Sequence, residues 1–184
     1  LSASLSYQIR TIQWDETLKM LDDGHFLWGS GLAKYQEVIK PYHQEGFFFN
    51  KDADPDFRRK VVFGSDQKYR DERWQPLEIY LYPHNIFLNF WVELGLIGMI
   101  IFIFLILRFI FISLKYYFQN KNNRNSALAL SLFASMSVIL LHGLFDVPYF
   151  KNDLSVLFWI IIALLAIFKL QKGNLNNYGK NKFD

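Results

Sequence analysis

One histidine of this sequence combines a residue type and a position that suit proton chemistry. His84 lies in the stretch PHNIFLNFWVELGLIGMIIF, residues 83–102, directly before a long apolar run. An imidazole at such a boundary can accept or relay a proton near neutral pH, beside a substrate that is carried in a lipid layer. The same position also suits a histidine that only anchors the chain at a membrane interface. The residues alone leave both interpretations open.

Arginines are the second group of candidates. Arg10 opens the stretch RTIQWDETLKMLDD, and Trp14 follows it one helical turn later. A guanidinium fork can bind a diphosphate through two parallel hydrogen bonds, which makes Arg10 a candidate for holding such a group. Arg70 and Arg73 are further candidates, although acidic residues are interleaved with the basic ones there. The alternative at each arginine is an ordinary charge in solvent.

His142 and Asp146 are four positions apart, at the end of a second apolar run. Residues spaced by four share one side of a helix, so the two side chains can form a hydrogen bond. The pair is either a packing device or a support for His84, and we expect packing. Two such groups do not make a metal site, and the sequence contains no cysteine. We therefore expect neither a metal nor another cofactor.

Long apolar runs must position these residues. Hydrophobic residues make up 52% of the chain, and nearly everything after Asn85 is apolar apart from short polar breaks. Unbroken apolar runs of about 17–25 residues are typical of helices that cross a membrane. The sequence therefore predicts an all-α integral membrane protein with transmembrane helices at 86–114, 127–145 and 154–170.

The distribution of Lys and Arg predicts the orientation of these helices. The loop at 115–126 carries three basic residues and no acidic one, and the tail at 171–184 is also basic. Basic loops stay in the cytoplasm, so residues 1–85 and the loop at 146–153 are expected outside it. Export of residues 1–85 requires an upstream span, because no signal peptide precedes them. We therefore expect a fragment of a larger multi-spanning protein.

Local patterns subdivide residues 1–85. An amphipathic helix is predicted from Ile9 to Leu21, with one apolar face formed by Ile9, Ile12, Leu18 and Leu21. A second short helix is predicted at 32–39, and residues 43–76 are expected to be irregular. Asn85 is the predicted N-cap of the first membrane helix. Residues 1–85 contain thirteen acidic and eleven basic residues, a balance that gives no support to nucleic-acid binding.

The ordered set of motifs resembles the O-antigen ligase and polymerase superfamily. The motifs are R-x-x-x-W, G-x-G-L followed by an aromatic residue, H-N-x-x-L and E-x-G-x-x-G. They begin at Arg10, Gly29, His84 and Glu93, and the aromatic residue is Tyr35. The closing stretch HGLFDVPYFKNDLSVLFW, residues 142–159, also looks like the end of the membrane domain in this superfamily. The resemblance covers nearly the whole chain, from Arg10 to about Leu170.

The resemblance implies a glycosyltransferase of the bacterial inner membrane that contributes to surface polysaccharide. Such enzymes move a glycan from an undecaprenyl-diphosphate carrier to a lipid, glycan or protein acceptor on the outer face, without a metal or a nucleotide sugar. The diphosphate-binding arginine and the histidine that assists the acceptor hydroxyl correspond to Arg10 and His84. A second arginine of the family is expected upstream of this chain. Further substrate contacts are expected from Trp14, Arg70, Arg73, Asn85 and Glu93.

A non-enzymatic alternative is part of a transporter for polysaccharide or lipid. A transporter is expected to place ionisable groups near the middle of the bilayer. Here Glu93, His142 and Asp146 all lie towards the outer ends of the apolar runs, which favours chemistry at the membrane surface. Five aromatic residues suit either stacking on sugars or lining the membrane interface, namely Trp14, Trp28, Trp74, Tyr80 and Tyr82.

Overall fold

The computed structural model describes residues 4–119, 124–147 and 155–167, most of which are helical. The chain divides into two compact units. The first unit contains residues 1–83 and 88–97, and the second contains residues 84–87 and 98–184. Three predicted features lie outside the described residues: most of the loop at 146–153, the ends of the third membrane helix and the tail at 171–184.

Helix α1 (Leu5–Met20) opens the first unit, and the Ser4 hydroxyl caps it by accepting a hydrogen bond from the Tyr7 amide. The predicted helix is therefore present, but its predicted apolar face is only partly correct. Leu21, directly after α1, is buried, whereas Leu18 is 47% exposed. The buried residues within α1 are Gln13, Glu16, Thr17 and Met20, which follow the helical spacing but are mostly polar. Hydrophobic periodicity alone does not reveal a buried face of this kind.

The polar residues on that buried face have hydrogen-bond partners. The Glu16 carboxylate accepts a hydrogen bond from the Gln44 amide at 2.9 Å. The Thr17 hydroxyl lies 2.8 Å from the Tyr35 hydroxyl. Burial raises the pKa of Tyr35 to about 12, so this phenol stays neutral and can donate a hydrogen bond. These contacts explain why a polar helix face is tolerated in the interior.

A kinked turn at Leu21–His25 follows α1, in which Asp23 and Gly24 have non-helical backbone angles and Gly24 adopts a φ of +89°. The predicted helix at 32–39 is present only as the single turn α2 (Tyr35–Val38), followed by a 3₁₀ turn (Lys40–Tyr42). These segments surround the main apolar cluster of the first unit. Its buried members are Met20, Leu21, Tyr35, Ile39 and Val92.

The prediction that residues 43–76 are irregular is wrong. Strand β1 (Gly46–Phe48) pairs antiparallel with β2 (Trp74–Pro76), and helices α3 (Phe57–Phe63) and α4 (Gln67–Asp71) lie between them in the chain. The fold is thus mostly helical rather than all-α. Strands of three residues are too short to show the alternation that identifies a strand in a sequence.

Asp54 organises the segment between the two strands. Its Oδ2 atom accepts hydrogen bonds from Lys60 Nζ at 2.7 Å and from the Tyr69 hydroxyl at 2.6 Å. These two hydrogen bonds, of which the one from Lys60 has the larger effect, lower the pKa of Asp54 from 3.8 to about 2. The ionised carboxylate therefore stabilises the folded segment.

Helices α5 (Ile86–Gln119) and α6 (Arg124–Gly143) follow, and a shorter apolar helix, α7 (Ser155–Ile167), comes after them. Two helices, Ile86–Gln119 and Ser126–Gly143, are long and apolar enough to cross a membrane. Helix α5 continues five residues past the predicted end at 114, and α6 begins three residues before 127. The third predicted span stays a prediction.

Helix α5 is interrupted at Gly95, which has φ +73° and ψ 179°. In an unbroken helix the amide of Leu96 would donate to the carbonyl of Val92. Here the Leu96 amide donates to the Leu27 carbonyl at 3.1 Å, and the Val92 carbonyl accepts from the Ser30 amide at 2.6 Å. The helical hydrogen bond between Leu96 and Val92 is therefore missing, and the loop at 26–33 provides a new partner for each of the two groups.

Two glycines allow the loop to approach this closely. A Cβ atom on Gly29 would collide with the Val92 carbonyl oxygen, and a Cβ atom on Gly95 would collide with the Leu27 carbonyl oxygen. Both glycines also have positive φ values, which L side chains rarely adopt. The glycine of the G-x-G-L motif and the glycine of the E-x-G motif thus meet at one junction.

We expect Gly29→Ala and Gly95→Ala to destabilise the protein more than Gly24→Ala does. Gly24 has a positive φ but nothing within 4 Å of its would-be Cβ, so its substitution costs only the backbone strain of ~1–2 kcal/mol. The other two substitutions also disrupt buried hydrogen bonds, at ~1–3 kcal/mol for each group left unpaired. Thermal unfolding of the purified proteins in detergent measures the difference, and equal losses for all three variants would contradict the junction.

The Asp54 network makes stability depend on pH in a defined direction. Because the pKa of Asp54 is lower in the folded protein than its ordinary 3.8, its contribution is complete above about pH 4 and disappears as the pH falls towards 2. We expect Asp54→Asn to lower the unfolding temperature at pH 6, and the difference from the unmodified protein to shrink at pH 2.5. A difference that stays constant between these two pH values would show that the ionised carboxylate is not responsible.

Candidate active site

His84 adopts a left-handed backbone conformation, with φ +44°. A non-glycine residue in this region costs of order 1–3 kcal/mol, and residues held in this way are concentrated at functional sites. In the second unit, His84 Nδ1 lies 3.2 Å from Asp146 Oδ1, and both side chains are mostly buried. Surrounding contacts therefore fix both the backbone and the imidazole of His84.

Asp146 lies between two histidines. Its Oδ1 atom faces His84 and accepts a hydrogen bond from the Val147 amide at 2.8 Å. Its Oδ2 atom lies 3.7 Å from Nε2 of the exposed His142. The sequence favoured packing for the His142–Asp146 pair, whereas the structure shows a contact between Asp146 and His84. The sequence could suggest this contact only through the motif order, since 62 positions separate the two residues.

The contact with Asp146 defines what the His84 imidazole can do chemically. A carboxylate can only accept hydrogen bonds, so Nδ1 is the protonated nitrogen when the two groups are bonded. The neutral ring then carries its lone pair on Nε2, the nitrogen that can accept a proton. The carboxylate also stabilises the imidazolium that forms, as a histidine–carboxylate pair does in general-base catalysis.

Asn85 connects the start of α5 to the end of α6. Its Oδ1 atom accepts from the Phe87 amide at 3.0 Å, which makes Asn85 the N-cap of α5 as predicted. Its Nδ2 atom donates to the Leu144 carbonyl at 3.2 Å, two residues before Asp146. The Asn85 side chain therefore holds the segments that carry His84 and Asp146 close to each other.

Arg10 and Trp14 belong to α1 in the first unit. The Arg10 guanidinium contacts the hydroxyl and, at 3.4 Å, the carbonyl of Ser6, one turn earlier. The Trp14 indole donates to the Pro83 carbonyl at 2.8 Å, so Trp14 attaches α1 to the residue that precedes His84. The resemblance implies that Arg10 and His84 act on the same substrate, and since the two residues lie in different units, this stays a prediction.

The remaining predicted substrate contacts also lie in the first unit. The Glu93 carboxylate accepts a hydrogen bond from the Ala33 amide, in the loop that contacts Gly95. Arg73 is buried, forms an ion pair with Asp52, and stacks on Tyr69 with its guanidinium carbon 3.6 Å from the ring centroid. Their charges already contribute to the folded loops, and their contact with a substrate stays a prediction.

Arg70 differs from Arg73 in its surroundings. Its guanidinium carbon lies 5.5 Å from the centre of the Phe48 ring, a cation–π contact on β1. Its Nε atom is buried and has no hydrogen-bond partner within the described residues. Among the residues that the structure describes, no group of three or more His, Cys, Asp or Glu is arranged to hold a metal ion.

A comparison with known protein families matches residues 2–103 to the O-antigen ligase family. The match spans more than half of the chain and includes Arg10, the glycine junction and His84. No curated protein matches the chain, and no solved structure matches it. The matched region covers the whole order of motifs from R-x-x-x-W to E-x-G-x-x-G, so the chain belongs to the O-antigen ligase family.

Proposed function

We propose that this membrane protein transfers a glycan from an undecaprenyl-diphosphate carrier to a hydroxyl group of an acceptor. The acceptor is a lipid or a glycan, as in an O-antigen ligase or polymerase. Membership of the O-antigen ligase family supports glycan transfer in general. The observation that carries the specific proposal is the contact between His84 and Asp146, because it suits a general base.

The proposed reaction has few steps that need the protein. The acceptor hydroxyl attacks the anomeric carbon of the carrier-bound sugar, and its proton passes to His84 Nε2. The bond between that carbon and the diphosphate oxygen breaks, so undecaprenyl diphosphate leaves with the bonding electrons. Arg10 neutralises the negative charge of the leaving group, and Asp146 stabilises the imidazolium.

The other predicted residues receive supporting roles. Asn85 positions His84 through the cap of α5 and the bond to Leu144. Trp14 holds α1 against Pro83. Because Arg10 lies on the same helix, this contact also fixes the position of Arg10. Glu93 and Arg73 shape the loops on which the glycan would lie, and Arg70 provides a cation for its acidic or phosphate groups.

The proposed setting is the bacterial inner membrane. Residues 1–85 face outward, and the apolar helix α7 is part of a third span. Further spans, with a second diphosphate-binding arginine, belong to a larger protein. The basic residues at 115–126 and in the tail support this orientation.

The central test is the substitution His84→Ala in the full-length protein. Loss of a general base typically reduces the rate ~10²–10⁴-fold, whereas binding of the lipid-linked donor should change little. A matched control is His25→Ala, because the His25 ring nitrogen Nδ1 lies 3.2 Å from the carbonyl oxygen of Asp23, two residues earlier in the chain. Transfer assays with varied donor concentration measure both parameters. Near-normal transfer by well-expressed His84→Ala would return His84 to the role of an interface anchor.

Three further variants in the same assay separate the roles of Asp146 and Arg10. Asp146→Asn preserves the size of the side chain but lets its amide donate to His84, which favours the wrong tautomer, so kcat should fall while KM for the donor stays similar. Arg10→Ala should raise KM for the donor and lower kcat, since a diphosphate contact acts in both the ground and the transition state. Arg10→Lys should recover activity only partly. Loss of kcat alone in Arg10→Ala would argue against donor binding.

A further inference from the structure

Six large apolar side chains are exposed around the interruption of α5. Four lie on the loop, and two lie on either side of Gly95. We call this set the loop patch; it comprises Phe26, Leu27, Trp28, Leu32, Leu94 and Ile97. Trp28 is 76% exposed and Leu32 is 68% exposed. All six residues belong to the first unit. Exposed apolar patches on soluble surfaces are rarely this dense, and such patches mark interaction sites.

The loop patch is held in place by hydrogen bonds and ring contacts. The Trp91 indole donates to the Phe26 carbonyl at 2.7 Å, and the Phe26 and Trp91 rings pack edge to face with centroids 5.1 Å apart. The Leu27 carbonyl accepts from the Leu96 amide, as described above. Hydrogen bonds therefore engage the loop backbone at several points, while Leu27, Trp28 and Leu32 are each more than half exposed.

The part of α5 after Gly95 is long enough to cross a bilayer by itself. The part of α5 after Gly95 runs from 96 to 119, which is 24 residues (119 − 96 + 1). At 1.5 Å per residue this part is ~36 Å long, enough to cross a hydrocarbon core of ~30 Å without residues 86–94. Residues 88–97 are moreover part of the first unit. The first part of α5 is thus not needed to span the bilayer.

The exposed apolar residues of α5 indicate what covers the loop patch. After the interruption at Gly95, exposed Ile97 is followed by exposed Ile101 and Phe104, at the four- and three-residue spacing of one helix face. An exposed apolar face on a membrane-crossing helix contacts lipid, and the loop patch begins where this face begins. Its tryptophan also has the residue type that is enriched at the interface between headgroups and acyl chains.

We propose that the hydrocarbon core of the outer leaflet begins near Gly95, and that the loop patch inserts there among the lipid acyl chains. Trp28 then lies at the boundary between headgroups and acyl chains. Backbone groups cannot enter this region unpaired, and the bonds to Val92 and Leu96 provide partners for the Ser30 amide and the Leu27 carbonyl of the loop. Glu93 then lies on the polar side of the boundary. The first span is accordingly 96–119 rather than the predicted 86–114.

The absence of cysteine from this sequence allows a direct test with single fluorescent probes. Trp28→Cys, labelled with an NBD fluorophore in the full chain, is reconstituted into phosphatidylcholine vesicles brominated at carbons 6 and 7 or at carbons 11 and 12. We expect strong quenching of the probe at position 28 by the shallow bromines and weaker quenching by the deep ones. Phe104→Cys serves as the lipid-embedded reference, with stronger quenching by the deep bromines.

The matched control is Phe63→Cys, on another apolar side chain of the first unit that is 83% exposed. Phe63 ends α3, three residues after the basic run at 58–60, and we expect little quenching there. A second probe at Leu32 guards against a local effect of replacing Trp28, and it should be quenched in the same way. The proposal is overturned if probes 28 and 32 stay unquenched while probe 104 is quenched, since another part of the protein would then cover the patch. Equal quenching at 28 and 63 would also overturn it, because the loop patch would not be the specific point of insertion.

Discussion

The requirement that every backbone polar group find a partner governs this structure where the chain approaches the membrane. Gly95 interrupts a helix of high hydropathy, and the freed groups of Val92 and Leu96 would be costly in an apolar environment. The loop at 26–33 provides both partners. Two glycines that are distant in sequence are needed for one junction, which explains why a G-x-G motif and an E-x-G motif occur in the same chain.

The ionisable side chains at the end of α6 also have partners for their polar atoms. Asp146 accepts from the Val147 amide and faces both His84 and His142, so its charge is compensated at the end of an apolar helix. Asn85 uses both ends of its side-chain amide to join the start of α5 to the chain just after the end of α6. A histidine in this setting has a fixed orientation and tautomer, and these are the properties that a general base requires. A diphosphate leaving group needs little else from the protein beyond a cation.

The sequence predicted those parts of the fold that rest on long or local patterns. The apolar runs identified α5 and α6, the cap at Asn85 was correct, and the motif order identified the family. Features that depend on tertiary partners escaped it. The buried face of α1 is polar because Gln44 and Tyr35 provide partners for Glu16 and Thr17. The interruption of α5 at Gly95 depends on a loop that lies more than 60 positions away. Support of His84 by Asp146 was one of two alternatives, and the sequence favoured the other one, because spacing by four shows only the local partner His142. The role of Arg10 rests on the motif resemblance alone.

The claim on which the proposed mechanism depends is that Arg10 and His84 act at one site. Cross-linking tests it directly, because the chain contains no cysteine and pairs can be introduced cleanly. A short bifunctional thiosulfonate is applied to Arg10→Cys/His84→Cys in native membranes. Trp14→Cys/Pro83→Cys is the reference pair, since the Trp14 indole nitrogen and the Pro83 carbonyl oxygen are 2.8 Å apart. We expect comparable cross-linking of both pairs, and a reference pair that reacts while the Arg10/His84 pair does not would rule out a shared site.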